Sequence, residues 1–126
     1  MLRYVDDEPG ASRVEEILRE CAAWRSRLCI SAVQWGEIAG RLRTRLGASG
    51  QSRVLSSLLP SEAEIVSATG DRAVRAAEIR ADHGISYADA FAVELALDSP
   101  DHVLVTADYG FKPVVDLIKI EFLTAK

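Results

Sequence analysis

Cysteine is scarce. Cys21 and Cys29 are the only two, they lie in no CxxC-like pair, and neither they nor His83 and His102 take a spacing that resembles a zinc site. A disulfide-stapled fold and a structural zinc are thereby excluded, and both thiols are expected to be reduced, in or near the core. Long apolar runs are missing too. No stretch approaches a membrane span and no signal-peptide hydrophobic region precedes a small-residue cleavage site, so a soluble cytoplasmic protein with no membrane partner is expected. A basic excess is also absent: the net charge is −4, and an affinity built on phosphate neutralisation usually shows as a surplus of Lys and Arg. Any nucleic-acid role must therefore be local. Repeats, low-complexity tracts and linkers are lacking, and 126 residues with 48% hydrophobic content suit one compact domain, residues 1–126, and not two.

What is present is an alternation of helical and strand patterns. Glu8-Pro9-Gly10 reads as a turn into a helix whose apolar residues Val14, Ile17, Leu18, Cys21 and Trp24 recur with helical period. Arg27 to Val33 holds the short apolar run of a buried parallel strand. Trp35, Ile38, Ala39, Leu42 and Leu46 then form a helical stripe ending near Gly47 and Gly50, and a second short helix from Gln51 to Leu59 stops at Pro60. Ala63 to Ser67 is a short strand. Asp71 is placed to cap the next helix, which carries Val74, Ala77 and Ala81 inward and ends at Gly84, while Ser86 caps another with Ala88, Phe91, Ala92 and Leu95 as its buried face. A strand over His102 to Thr106, a turn and short helix over Tyr109 to Leu117, and a last strand over Ile118 to Leu123 follow. Strands alternating with helices predict an α/β class with a parallel sheet.

Three acids fall where this pattern puts a strand end or a helix start: Glu37, Asp89 and Asp108. In an open α/β sheet the carboxyl ends of the strands face a common crevice, so acids from distant parts of a sequence can converge there on one hard cation. Each also has an ordinary explanation. Glu37 lies in a first helical turn, where the helix dipole favours negative charge, and Arg41 one turn on could pair with it. Ser86 and Asp89 have capping-box spacing, and Asp108 before Tyr109-Gly110 fits a turn or N-cap aspartate. The common placement of all three, with hydroxyls at Ser31, Ser86 and Thr106 as supporting donors, favours metal binding over coincidence. Arg41, Arg43, Arg45 and Arg53 form a basic stretch with no acid between Glu37 and Glu62; the first three are weak candidates for RNA contact, against the alternative of a solvated helix face.

The ordered set of segments resembles a PIN-domain ribonuclease of the VapC toxin type over nearly the whole length. The resemblance is carried by Asp7-Glu8-Pro9-Gly10, by Ile30-Ser31-Ala32-Val33 with Glu37, by Ile85-Ser86-Tyr87-Ala88-Asp89-Ala90, and by Leu104-Val105-Thr106-Ala107-Asp108 followed by Phe111. It implies a three-layer fold with a mostly parallel central sheet flanked by helices, and an endoribonuclease that hydrolyses RNA phosphodiester bonds with the help of Mg²⁺ or Mn²⁺. It further implies Glu37, Asp89 and Asp108 as catalytic metal ligands, Ser86 and Thr106 as groups that orient them, a homodimer, and a small antitoxin that inserts near the acids. The family also begins with a strand bearing an Asp. Met1-Leu2-Arg3-Tyr4-Val5 resembles the helix that follows that strand, and Asp6 and Asp7 match the far end of that helix, so the first strand and its Asp are expected to be missing from the chain as written. A gap between the strands at Leu28 to Val33 and Val103 to Thr106, and an impaired site, would result.

Two rival classes differ in chemistry. One is a catalytically impaired PIN-like module acting by antitoxin or RNA binding. The other is a receiver domain, which Val5-Asp6-Asp7-Glu8-Pro9 and Lys112-Pro113 resemble, but no acid between Ile38 and Ser61 could serve as its phosphorylated aspartate. His83, at a helix end, and His102, before a strand, make poor catalytic candidates, and Trp24 and Trp35 on apolar stripes read as core or dimer contacts.

Overall fold

Side-chain caps decide where the helices bearing the candidate acids begin. In a computed structural model of the chain, which describes residues 11–22, 27–58 and 63–123, the elements are α1 (Ala11–Ala22), β1 (Cys29–Ser31), α2 (Ala32–Leu58), β2 (Glu64–Val66), α3 (Gly70–His83), α4 (Tyr87–Ala96), β3 (Val103–Thr106), a 3₁₀ segment (Tyr109–Val114) and β4 (Lys119–Phe122). The expected helix at Met1-Leu2-Arg3-Tyr4-Val5, the turn at Glu8-Pro9-Gly10, Asp6, Asp7, Trp24 and Pro60 lie outside the described residues.

β1 is shorter than its apolar run. The buried Ser31 hydroxyl accepts the backbone N–H of Val33 at 3.2 Å, which satisfies an early helical donor, and Ala32 and Val33 therefore start α2 instead of ending the strand. Glycine interrupts α2 where expected. At Gly47 the backbone takes φ 73° and ψ −177°, a conformation open to glycine and strained for other residues, so the 27 residues form two helices across a kink. Gln51 Nε2 donates to the Ala39 carbonyl at 2.8 Å across that kink, and Ile30, Ile38, Leu42 and Leu58 form a small core on which Trp35, Val54 and Leu55 pack.

α3 departs from the sequence reading in two respects. Thr69, not Asp71, is the N-cap: its hydroxyl accepts the Arg72 N–H at 3.3 Å. The inward face is Ala76 and Ile79, while Val74 is 60% exposed and Ala77 and Ala81 are also exposed. Both stripes have helical period; the rotation adopted is the one that lets Arg72 and Arg75 reach Glu94 on α4. α4 is apolar nearly all round and is buried accordingly, with Ala90, Phe91, Val93, Leu95 and Ala96 inside and Ala88 and Ala92 half-buried. It packs on α3, β1 and β3 and so joins the halves of the molecule. The larger core gathers Ala76, Ile79, Ile85, Phe91, Phe111 and Val114, each such burial contributing roughly 1.5–3 kcal/mol for a large side chain.

The pairing is parallel throughout, β1 with β2 in the register Ile30 to Ile65 and β3 with β4 in the register Leu104 to Ile120. Among the described residues these are two separate two-stranded sheets and not one central sheet, because no further described strand bridges them. Each strand thus keeps one edge without a strand partner among the described residues, and two-stranded ribbons depend on packing against helices for their stability.

α1 is tied to β4 by charge: Arg13 Nε donates to Glu121 Oε2 at 2.7 Å. The hydrogen bond from Arg13 holds the Glu121 carboxyl below the usual range, and one from Arg72 does the same for Asp98. Both acids release their protons more readily folded than unfolded. Their stabilising contribution is therefore fully present above their ordinary values of 4.5 and 3.8 and is lost as the pH falls through the depressed folded values. The urea midpoint is expected to be flat from about pH 7 to 5 and to drop below about pH 4, with a shallower drop in Glu121→Gln.

Candidate active site

Glu37, Asp89 and Asp108 reach the surface by three routes. Glu37 is exposed in the second turn of α2, whose first turn is fixed by Ser31. Asp89 is half-buried in the first turn of α4, where the Ser86 hydroxyl accepts its backbone N–H at 3.1 Å. Only half of a capping box is formed. Among the described residues the Asp89 carboxylate returns no hydrogen bond to Ser86 and pairs with no cation, and the Glu37 carboxylate likewise has no partner; Arg41 does not bond to it. Two oxygen-rich, unpaired groups at helix starts are good donors for a hard cation.

Asp108 behaves differently. Thr106 Oγ1, at the end of β3, accepts the Asp108 N–H at 3.0 Å, and Asp108 Oδ1 accepts the Gly110 N–H at 2.8 Å, making Asp108 the cap of the 3₁₀ segment. One carboxylate oxygen is thus engaged by the backbone. The approach is close: a Cβ at residue 110 would lie 3.0 Å from Asp108 Oδ1, so a larger residue there would oblige that carboxylate to give by a few tenths of an ångström.

The starts of α2 and α4 are adjacent. Gln34 Nε2 donates to the Ala88 carbonyl at 2.6 Å, and Val33 packs against the cluster that holds Ala90 and Phe91. Glu37 follows Gln34 by three positions, and Asp89 follows Ala88 directly. Leu104 and Phe111, which flank Asp108 in sequence, pack in the same cluster. The elements bearing the three acids therefore share one core, yet among the described residues no three His, Cys, Asp or Glu side chains are gathered closely enough to hold a metal ion. All three donors fit a divalent cation in kind, but only Glu37 and Asp89, on neighbouring helices, are free of other partners among the described residues; Asp108 has one oxygen engaged by Gly110, and the full set is not closed around a single point.

Arg41 and Arg45 line a shallow groove with Glu37, Gly40 and Thr44, and Arg43 is exposed on the same helix. Sequence reading overlooked Glu94, which is 2% exposed and receives Arg72 Nη1 at 2.7 Å and Arg75 Nε at 2.9 Å. The available signal was a lone acid inside the apolar run Phe91 to Leu97, since a buried charge requires partners. Cys29 is a free, half-buried thiol, pushed above its usual range by burial. No helix among the described residues is long and apolar enough to cross a membrane.

Comparison with curated proteins and with solved structures gave no match. The model of one protein family, the PIN domain, matches residues 1–117. PIN domains are generally nucleases and typically use divalent metals. With parallel strands, helices between them, and a family model matched over residues 1–117, the chain belongs to the PIN domain family.

Proposed function

We propose that this PIN domain is an endoribonuclease dependent on Mg²⁺ or Mn²⁺ and the toxin of a toxin-antitoxin pair of the VapC type. The observation that carries the reading is the pair of unpartnered carboxylates, Glu37 and Asp89, on helix starts joined by a hydrogen bond. Glu37, Asp89 and Asp108 act as the oxygen donors; Ser86 fixes the helical turn that presents Asp89, and Thr106 fixes the backbone of Asp108. A bound divalent cation supplies activation of water and neutralisation of charge on the phosphodiester. Arg41, Arg43 and Arg45 lie along the helix of Glu37, where they meet RNA phosphates in a protein whose overall charge is unfavourable for them. A shallow groove over Ala77, Arg80, Ala81 and Tyr87, uncovered by the described residues and near the exposed Val74, supports a protein partner, either the antitoxin or the second subunit of a homodimer. A cytoplasmic location accords with this reading.

A second reading is favoured by the absence of a gathered donor set among the described residues: a PIN-like module impaired in catalysis, acting by antitoxin or RNA binding. Incubation of a structured RNA with the protein and Mn²⁺ separates the two. Slow cleavage that stops on addition of EDTA is the expected result. Cleavage that persists in EDTA rejects the metal, and RNA retention without cleavage selects the impaired module.

A further inference from the structure

We infer that Gln34 is a positioning residue, which fixes the helix starts bearing Glu37 and Asp89 relative to each other and so governs how the two carboxylates can share a divalent cation; the inference rests on the metal-dependent reading of this site. Gln34 is half-buried in the first turn of α2, and its side-chain amide donates to the carbonyl of Ala88 at 2.6 Å, across 54 positions of sequence. A carbonyl oxygen has two lone pairs, so Ala88 can serve the α4 ladder and Gln34 together. The bond joins the turn before Glu37 to the residue before Asp89. It is the one side-chain hydrogen bond between α2 and α4 among the described residues.

Packing brings the helices together, since α2 and α4 touch and both lie against β1. Val33 gives the two helix starts an apolar contact, but such a contact tolerates sliding along the helix axes, whereas a short amide-to-carbonyl bond fixes one approach. Among the described residues neither carboxylate has a partner of its own that would fix it. The distance between them therefore depends on the relation of their helices, to which the Gln34 bond adds a directional constraint. Groups that orient metal ligands without touching the metal typically change affinity by about 10–100-fold when removed.

The test compares Mn²⁺ affinity, by calorimetry and by the paramagnetic resonance of bound Mn²⁺, in the unsubstituted chain, Gln34→Met and Asp89→Asn. Methionine keeps the length and volume of glutamine and removes the donor. About a tenfold weaker affinity in Gln34→Met, at a temperature where its circular dichroism matches that of the parent, supports the role. Gln34→Thr provides the same comparison should methionine prevent folding. Unchanged Mn²⁺ affinity in the Gln34 variants, with binding abolished in Asp89→Asn, overturns the positioning role and leaves the metal site standing. No Mn²⁺ binding by the parent, or equal binding by Asp89→Asn, overturns the site itself and the inference with it.

Discussion

Glu94→Ala is expected to destabilise the fold by about 3 kcal/mol, the lower end of the range for breaking a buried ion pair from one side. Glu94 is 2% exposed and accepts from two guanidinium groups of α3; its loss strands Arg72, 20% exposed, with Asp98 as its remaining partner. The exposure of Arg75 keeps the effect from being larger, because that side chain regains water. The pair also holds the contact between α3 and α4, around which the larger core is built. Urea unfolding at neutral pH measures the loss, and a shift below about 1 kcal/mol would mean that the cluster behaves as a surface pair. Replacement of Arg72 and Glu94 together by apolar residues of similar volume should recover most of the stability.

Asp89→Asn should separate activity from stability. The carboxylate makes no hydrogen bond or ion pair among the described residues, and the backbone N–H that Ser86 accepts is retained in the variant. Loss of a favourable charge at the start of α4 is the main change, and at a partly exposed site it should move the unfolding free energy by only about 0.5 kcal/mol. RNA cleavage with Mn²⁺ should fall roughly 100-fold or more, equivalent to about 3 kcal/mol of transition-state stabilisation. Initial rates on a labelled RNA give the first quantity and thermal unfolding the second. Retained cleavage would remove Asp89 from the catalytic set.

The sequence was most legible where one residue type has one physical use. Gly47 marked the break in α2, and Ser86 marked the start of α4, because positive φ and an unsatisfied N–H each have few solutions. It was least legible where two solutions share a pattern. Val74, Ala77 and Ala81 form as regular a stripe as the one that is buried, and the choice was made by the long-range bonds of Arg72 and Arg75 to Glu94. Thr69 and Asp71 could both cap α3, and Ala32 with Val33 satisfied strand and helix alike until Ser31 took the N–H. For the site, the placement of Asp89 and Asp108 at element boundaries could be read directly, whereas Glu37, expected in a first turn, lies in the second because α2 begins at Ala32. Their separations could not, since these depend on how α2, α4 and β3 pack. Gln34 was invisible for the same reason: nothing local distinguishes a glutamine that spans two helices from one in solvent.

The kink at Gly47 bears on how such a protein can diverge. Residues 43–49 are all exposed at the corner, while the second half of α2 returns to the small core through Val54, Leu55 and Leu58 and is held to the first by the Gln51 bond. The corner therefore works as a helical hairpin tip with two glycine requirements, the positive φ at Gly47 and the close approach at Gly50, where a Cβ would lie 2.5 Å from Leu46 Cβ. Arg43 and Arg45 sit on that tip, and Glu37 sits outside it. Substitution at the exposed tip positions can thus change that surface without touching the helical turn that carries Glu37.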